Sequence, residues 1–355
     1  MDEETFLRRL PKVDLHCHLA GTIRPATLIE LARKNDVPLR TSDPEQLYVF
    51  DDFYDFLDVV RTAARCLVTH DDFARVAYEA LADAATAGNL KYAELFFNPT
   101  DYYPSGVTYR TMADGFIAGL RDAEADHGVT GRLIPAINRE LGPGTARDMV
   151  ADAIADPRDE IIGIGMDGAE RSGPPGLFAE AYGMAGRAGL RRTAHACEDN
   201  QTPAEAPPSH ITTCLDDLGC DRIDHGYHVL GDPHVARRCA DNGVPFTVGS
   251  HTCVPSRLAT RWRNVRHMLD AGLPLVICTD DPPMYGTDIG TAYVTLHREL
   301  GLSLTTATEL AVAGIDATWL DDDAKRRLRR EFSTEIAALG PLGQRRAGGV
   351  TRSPA

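Results

Sequence analysis

Eight short, apolar, β-branched runs recur along this chain with helix-like stretches between them, and this alternation constrains the fold more than any other feature. The runs fall at 13–18, 92–98, 133–139, 161–167, 192–195, 222–225, 245–248 and 275–279. Most are continuously apolar rather than alternating, as strands covered on both faces require. The intervening segments 73–87, 109–127, 176–189, 209–218 and 232–242 carry helical spacing or strong helix formers. Gly88, Gly128, Gly189, Gly219, Gly243 and Gly272 each precede a strand candidate, where a helix C-cap glycine belongs. Eight β-then-α units predict an α/β fold, a (β/α)8 TIM barrel. The alternative is an open doubly wound sheet. It needs a GxGxxG or GxxxxGK[ST] phosphate loop, and the sequence has neither.

The connection between the first two strands is much the longest, about 70 residues, and predicts a helical insertion over about 22–88. Residues 25–35 read as one helix. A second opens near Phe50, with Phe53, Phe56, Leu57 and Val60 at i, i+3, i+4 and i+7. That stripe either packs on the barrel or forms an apolar lid over its mouth. Residues 1–339 are expected to form one catalytic barrel domain, and the Gly/Pro/Arg/Ser-rich segment 340–355 a disordered tail.

Net charge narrows the partners. With 52 Asp+Glu against 37 Lys+Arg, the chain carries −15, which argues against nucleic acid and anionic membranes. No apolar run approaches the ~20 residues that span a bilayer. The acidic start Met1-Asp2-Glu3-Glu4 does not resemble a signal peptide, and the expectation is a cytoplasmic protein. The eight scattered cysteines, with no CxxC pair, read mostly as buried thiols.

Barrels of this class do their chemistry at the C-terminal ends of the strands. The first strand ends in His16-Cys17-His18, whose alternate imidazoles face one way. The fifth ends in His195-Ala196-Cys197-Glu198, the sixth in His225 and the eighth in Asp280-Asp281-Pro282. Together these form a set of nitrogen and oxygen ligands suited to a borderline cation such as Zn2+. Glu198, three residues beyond His195, is placed to shuttle protons rather than bind metal. His225 and Asp281 are left to orient and stabilise the hydroxide that such an ion supplies.

Four segments, 11–19, 195–198, 224–228 and 279–282, taken in order, resemble the adenosine/adenine deaminase family of the amidohydrolase superfamily. The similarity runs from about Leu10 to Leu320, and this chain reads as a divergent member. The resemblance implies a (β/α)8 barrel with one zinc per chain, held by His16, His18, His195 and Asp280. It implies that Glu198 protonates purine N1 as hydroxide attacks C6, that His225 orients the hydroxide, and that Asp281 bonds the hydroxide and the N7 side. Gly168 matches the glycine whose backbone N–H meets N3, and His18 would also border the substrate. The expected activity is hydrolytic deamination of a 6-aminopurine nucleoside, adenosine or a modified adenosine, to the 6-oxopurine and ammonia. The alternatives are adenine or N6-substituted adenine, or other mononuclear amidohydrolase chemistry. A dinuclear hydrolase commonly needs a bridging lysine or glutamate at the fourth strand's end, and 161–168 contains no lysine. A non-catalytic relative usually loses ligands or the proton shuttle, and here all are present.

Three positions depart from the family pattern. Ala20 stands where adenosine deaminases carry an acidic residue for the ribose 5′-hydroxyl. Cys197 replaces the glycine before the glutamate, its thiol turned either to the core or towards the metal. The turn after the seventh strand, Ser250-His251-Thr252-Cys253, replaces a Cys-Pro-x-Ser-Asn-like sequence, so His251 either reaches the mouth or lies on the rim. Arg139 and Glu140 are equally open between substrate contact and a structural pair.

Overall fold

The computed structural model describes residues 1–340, so the predicted tail falls, from residue 341 on, outside the described residues. Its strands are β1 (Lys12–His18), β2 (Leu90–Phe97), β3 (Thr130–Asn138), β4 (Gly163–Asp167), β5 (Arg191–Ala196), β6 (Arg222–His225), β7 (Phe246–Gly249) and β8 (Leu275–Cys278). Each pairs in parallel with its sequence neighbour, in the order β1 to β8. Just past the end of β8 the ring closes at a parallel bridge between Cys17 and Asp280. There the Asp280 N–H donates to the His16 carbonyl and the His18 N–H to the Asp280 carbonyl, both at 2.9 Å. The architecture is the (β/α)8 barrel that the eight runs predict.

The strands hold because both faces are covered: β1, β2 and β6 are almost wholly buried. Inside the barrel, Phe96, Ile134 and Ala136 form an apolar layer against Trp319. Beneath it a buried Arg222–Glu94 ion pair stacks under the same tryptophan. Arg222 also donates through Nη2 to the Leu15 carbonyl at 3.0 Å, as charge buried at this depth needs hydrogen-bonded partners. The tyrosine hydroxyl of Tyr92 and the Trp319 N–H both donate to Glu94.

Helix ends follow the capping expectations with one correction. Gly128, Gly189, Gly219, Gly243 and Gly272 all adopt positive φ. Gly88 does not: it is the last residue of the helix His70–Gly88, and Asn89 takes the left-handed cap at φ +54°. Gly88 is glycine for another reason, since a Cβ there would lie 2.4 Å from the backbone nitrogen of Gly290. The fourth strand begins at Gly163, two residues later than the apolar run, because Ile161 makes only an isolated bridge with Leu133.

Between β1 and β2 lie the helices Pro25–Lys34, Phe53–Arg65 and His70–Gly88. The second is started by the Asp52 side chain, which accepts from the N–H groups of Tyr54 and Asp55. Its apolar stripe sits over the barrel mouth. Phe53, Phe56, Leu57 and Val60 all line the cavity there and also pack into the main apolar cluster, so the stripe does both things the sequence offered as alternatives. No helix among the described residues is long and apolar enough to cross a membrane.

Candidate active site

At the C-terminal ends of the strands is a cavity of about 610 Å3, counting its open mouth. Four side chains converge at its floor. The Nε2 atoms of His16 and His18 are 3.3 Å apart, and those of His18 and His195 are 3.2 Å apart. The Asp280 Oδ1 lies 3.3 Å from His16 Nε2 and 3.4 Å from His18 Nε2. A tetrahedral ion with bonds of about 2.0–2.1 Å needs its ligand atoms about 3.3 Å apart, so these spacings fit Zn2+.

The chemistry of the donors also suits a divalent cation. The Thr247 hydroxyl donates to Asp224 Oδ1 at 2.9 Å, so it can only accept from His16 Nδ1, also at 2.9 Å. That puts a proton on His16 Nδ1 and leaves Nε2 as the ring nitrogen turned to the cluster. The His195 Nδ1 faces Asp224 Oδ2 at 3.6 Å and the His18 Nδ1 faces Asp167 Oδ2 at 3.6 Å. Burial, and then the imidazole of His195, push the His18 pKa down to about 3. Burial and His16 lower that of His195 in the same way. Burial works to lower the His16 pKa too, but the Asp280 and Asp224 carboxylates outweigh it and raise it. The facing lone pairs of neutral His18 and His195 are mutually repulsive without a cation between them.

Around this floor stand the other residues expected from the sequence. Glu198 is 4% exposed, and burial, reinforced by the charge of Asp280, pushes its pKa up to about 8. Its Oε1 lies 4.0 Å from His225 Nε2. Burial and the neighbouring imidazoles hold His225 well below the usual histidine range, so it is neutral. Asp281 is 3% exposed, and burial together with the adjacent Asp280 charge pushes its carboxyl well above the usual range. Gly168, at φ +83°, lines the cavity with His18, Glu198, His225 and Asp281.

Three non-glycine residues at this rim are left-handed: Cys197 (φ +59°), His225 (φ +71°) and Asp280 (φ +65°). Such conformations cost of order 1 kcal/mol or more and cluster at functional sites. Here they break strand alternation, which is how the consecutive Asp280 and Asp281 both come to line the cavity. The glycine expected at position 197 would adopt this backbone without strain. The cysteine bears that strain and turns its thiol away from the ligands, donating to the Pro207 carbonyl at 3.1 Å.

Of the positions left open by the sequence, Ala20 lines the cavity alongside Phe53 and Phe56. His251 lies on the rim, bonded to the Ser250 hydroxyl at 2.7 Å, and is not among the cavity-lining residues. Arg139 is fully buried and structural, its Nη2 donating to the His195 carbonyl at 2.7 Å. Glu140 pairs with Arg61 of the lid helix and accepts from the Ala169 N–H. Sequence reasoning missed Asp224 and Asp167, which stand behind the histidines. Each is directly next to a residue it did single out, His225 or Gly168.

Against this geometry, comparison with known proteins is specific. The sequence model of the family described as "Adenosine deaminase" matches residues 11–335. An adenine deaminase of Streptomyces coelicolor is 36% identical over 339 residues, covering 94% of this chain and 96% of the relative. An amidohydrolase from Burkholderia ambifaria, solved with bound Zn, superposes with a TM-score of 0.86 at 35% identity, over 95% of this chain and 93% of that one. The adenine deaminase of Arthrobacter aurescens gives 0.85 at 32% identity, over 92% and 99%. A match across nearly the whole barrel, joined to a buried cluster of histidines and aspartate fit for a divalent metal, places this chain in the adenosine deaminase family, whose members hydrolyse C–N bonds.

Proposed function

We propose that this protein hydrolyses a 6-aminopurine to the 6-oxopurine and ammonia, with one Zn2+ held by His16, His18, His195 and Asp280. The observation that carries this reading is the convergence of those side chains, with His18 3.2–3.4 Å from each of the other three and Asp280 3.3 Å from His16, beside a buried Glu198. When bound, the ion lowers the pKa of a water to about 7 and supplies hydroxide near neutral pH.

The protein's own groups do the rest. A 6-aminopurine presents three ring acceptors, N1, N3 and N7. Facing them are three donors: the Glu198 acid, the Gly168 N–H and the protonated Asp281 carboxyl. Glu198 gives its proton to N1 as C6 is attacked, which lets the ring accept the electron pair. Neutral His225, 4.0 Å from Glu198, orients the attacking water and accepts its hydrogen bond. The lid helix, through Phe53, Phe56 and Leu57, covers the ring and excludes bulk water. The C6–N bond then breaks as C6=O forms: the proton of the new C6 hydroxyl passes to the amino group, which leaves as ammonia, and the proton shed by the attacking water on ionising restores the Glu198 acid.

The sequence places adenosine or a modified adenosine first and free adenine as an alternative. Ala20 favours the free base: the cavity wall it shares with Phe53 and Phe56 supplies no acceptor for a ribose hydroxyl at that point. Two of the similar proteins carry the name adenine deaminase, in line with that choice. The test is ammonia release from adenine, adenosine, 5′-methylthioadenosine and N6-methyladenine. A higher kcat/KM for adenine than for adenosine is expected. Equal or greater activity on adenosine would reject the free-base reading, and no release from any of them the deaminase reading.

A further inference from the structure

We propose that Asn200 is a positioning residue that dictates which oxygen of Glu198 carries the acid proton. This rests on the reading of Glu198 as proton donor. Asn200 is 6% exposed and sits two residues past Glu198 in the loop after β5. The Thr252 hydroxyl donates to its Oδ1 at 2.6 Å, which turns its NH2 group towards Glu198. That group donates to Glu198 Oε1 at 2.5 Å. An oxygen receiving an amide N–H cannot also present its own proton to it, so the acid proton sits on Oε2.

Both ends of this relay are fastened to one buried side chain. Arg261 donates through Nε and Nη2 to Asp199 Oδ1, at 3.1 and 2.5 Å, and through Nη1 to the His251 carbonyl at 2.5 Å. The residues flanking Asn200 and Thr252 are therefore held in register. The departing turn Ser250-His251-Thr252-Cys253 thereby acquires a role, since its threonine reaches the catalytic carboxyl through an asparagine. The charged or titratable groups acting on Glu198 are Asp280, Arg261, Asp199, Glu170, His225, Cys253 and Tyr285. Asn200 adds a neutral donor to that set. A donated hydrogen bond favours a carboxylate, so its loss raises the pKa.

The test uses the metal-loaded enzyme with Asn200→Ala, Thr252→Val and Thr252→Ser. It reads metal content, kcat and KM against pH, and the Glu198 midpoint from carbon-13 carboxyl NMR, assigned as the resonance lost in Glu198→Gln. Asn200→Ala is expected to keep its metal and a KM within about threefold. Its kcat should fall about 10–100-fold, and the Glu198 midpoint should rise by about one pH unit. Thr252→Val should move both readouts the same way but less, and Thr252→Ser should restore them. An unchanged midpoint in folded, metal-loaded Asn200→Ala overturns the proposal. If that variant does not fold, an unchanged midpoint and kcat in Thr252→Val do so instead. If wild-type enzyme releases ammonia from no aminopurine, the functional reading falls, while the NMR midpoint still decides whether Asn200 governs Glu198.

Discussion

Replacing Glu198 by Gln separates chemistry from folding, because the two should move in opposite directions. The glutamine keeps the shape and a hydrogen-bonding head but cannot release a proton. A general acid contributes about 10^2–10^4-fold, so kcat should fall by at least two orders of magnitude with zinc content unchanged. Folding responds through linkage. The folded pKa of about 8 lies above the usual value of 4.5, so the folded state holds the proton more tightly than the unfolded chain. Wild type therefore incurs no penalty below pH 4.5 and a growing one as pH rises, reaching a plateau above about 8. At pH 7 the penalty is about 3 kcal/mol, at roughly 1.4 kcal/mol per unit over about 2.5 units, before the bound cation offsets part of it. The variant should accordingly melt several degrees higher than wild type at pH 7 and equally at pH 4.5. The assays are ammonia release, metal analysis and thermal melts across pH. Near wild-type turnover, or a melting difference that does not grow between pH 4.5 and 8, would refute the reasoning.

In wild type, kcat/KM should fall on the alkaline side as the acid proton is lost, with a midpoint no higher than about pH 8 because a nearby cation favours the carboxylate; a limb above pH 9 would assign the acid to another group. Asp224→Asn should weaken metal binding about 10–100-fold, since Asp224 faces both His16 and His195, as measured by competition with a chelator. Cys197→Gly should be about 1 kcal/mol more stable than Cys197→Ala in denaturant melts, because only glycine relaxes at φ +59°. Ala20→Asp should raise the ratio of adenosine to adenine turnover, and an unchanged ratio would mean that the sugar is read elsewhere in the cavity.

The barrel was legible because its strands are buried on both sides and write that burial as unbroken apolar runs. The candidate metal-binding residues were legible because such barrels work at strand ends, and His16, His18, His195 and Asp280 all sit at or just past them. Asp224 and Asp167 escaped notice for a physical reason. Alternation holds only while backbone dihedrals stay extended, and His225, immediately after Asp224, is left-handed. Asp167 precedes the left-handed Gly168 in the same way. The link from Asn200 to Thr252 spans 52 residues and joins two loops, so no local pattern announces it. The first strand's register also hid its irregularity, since β1 slips against β2 between Asp14 and Cys17.

The seam where the ring closes has a consequence for how this enzyme is made. In the proposed ligation, two of the ion's grips come from the first strand and another from the residue that zips the eighth strand onto it. A nascent chain that has not yet delivered residue 280 can bring three imidazoles near one another but cannot complete the donor set. Capture of the ion thus comes with the last stitch of the wall, and the loaded centre then acts as a clasp across the joint between the beginning and the end of the barrel.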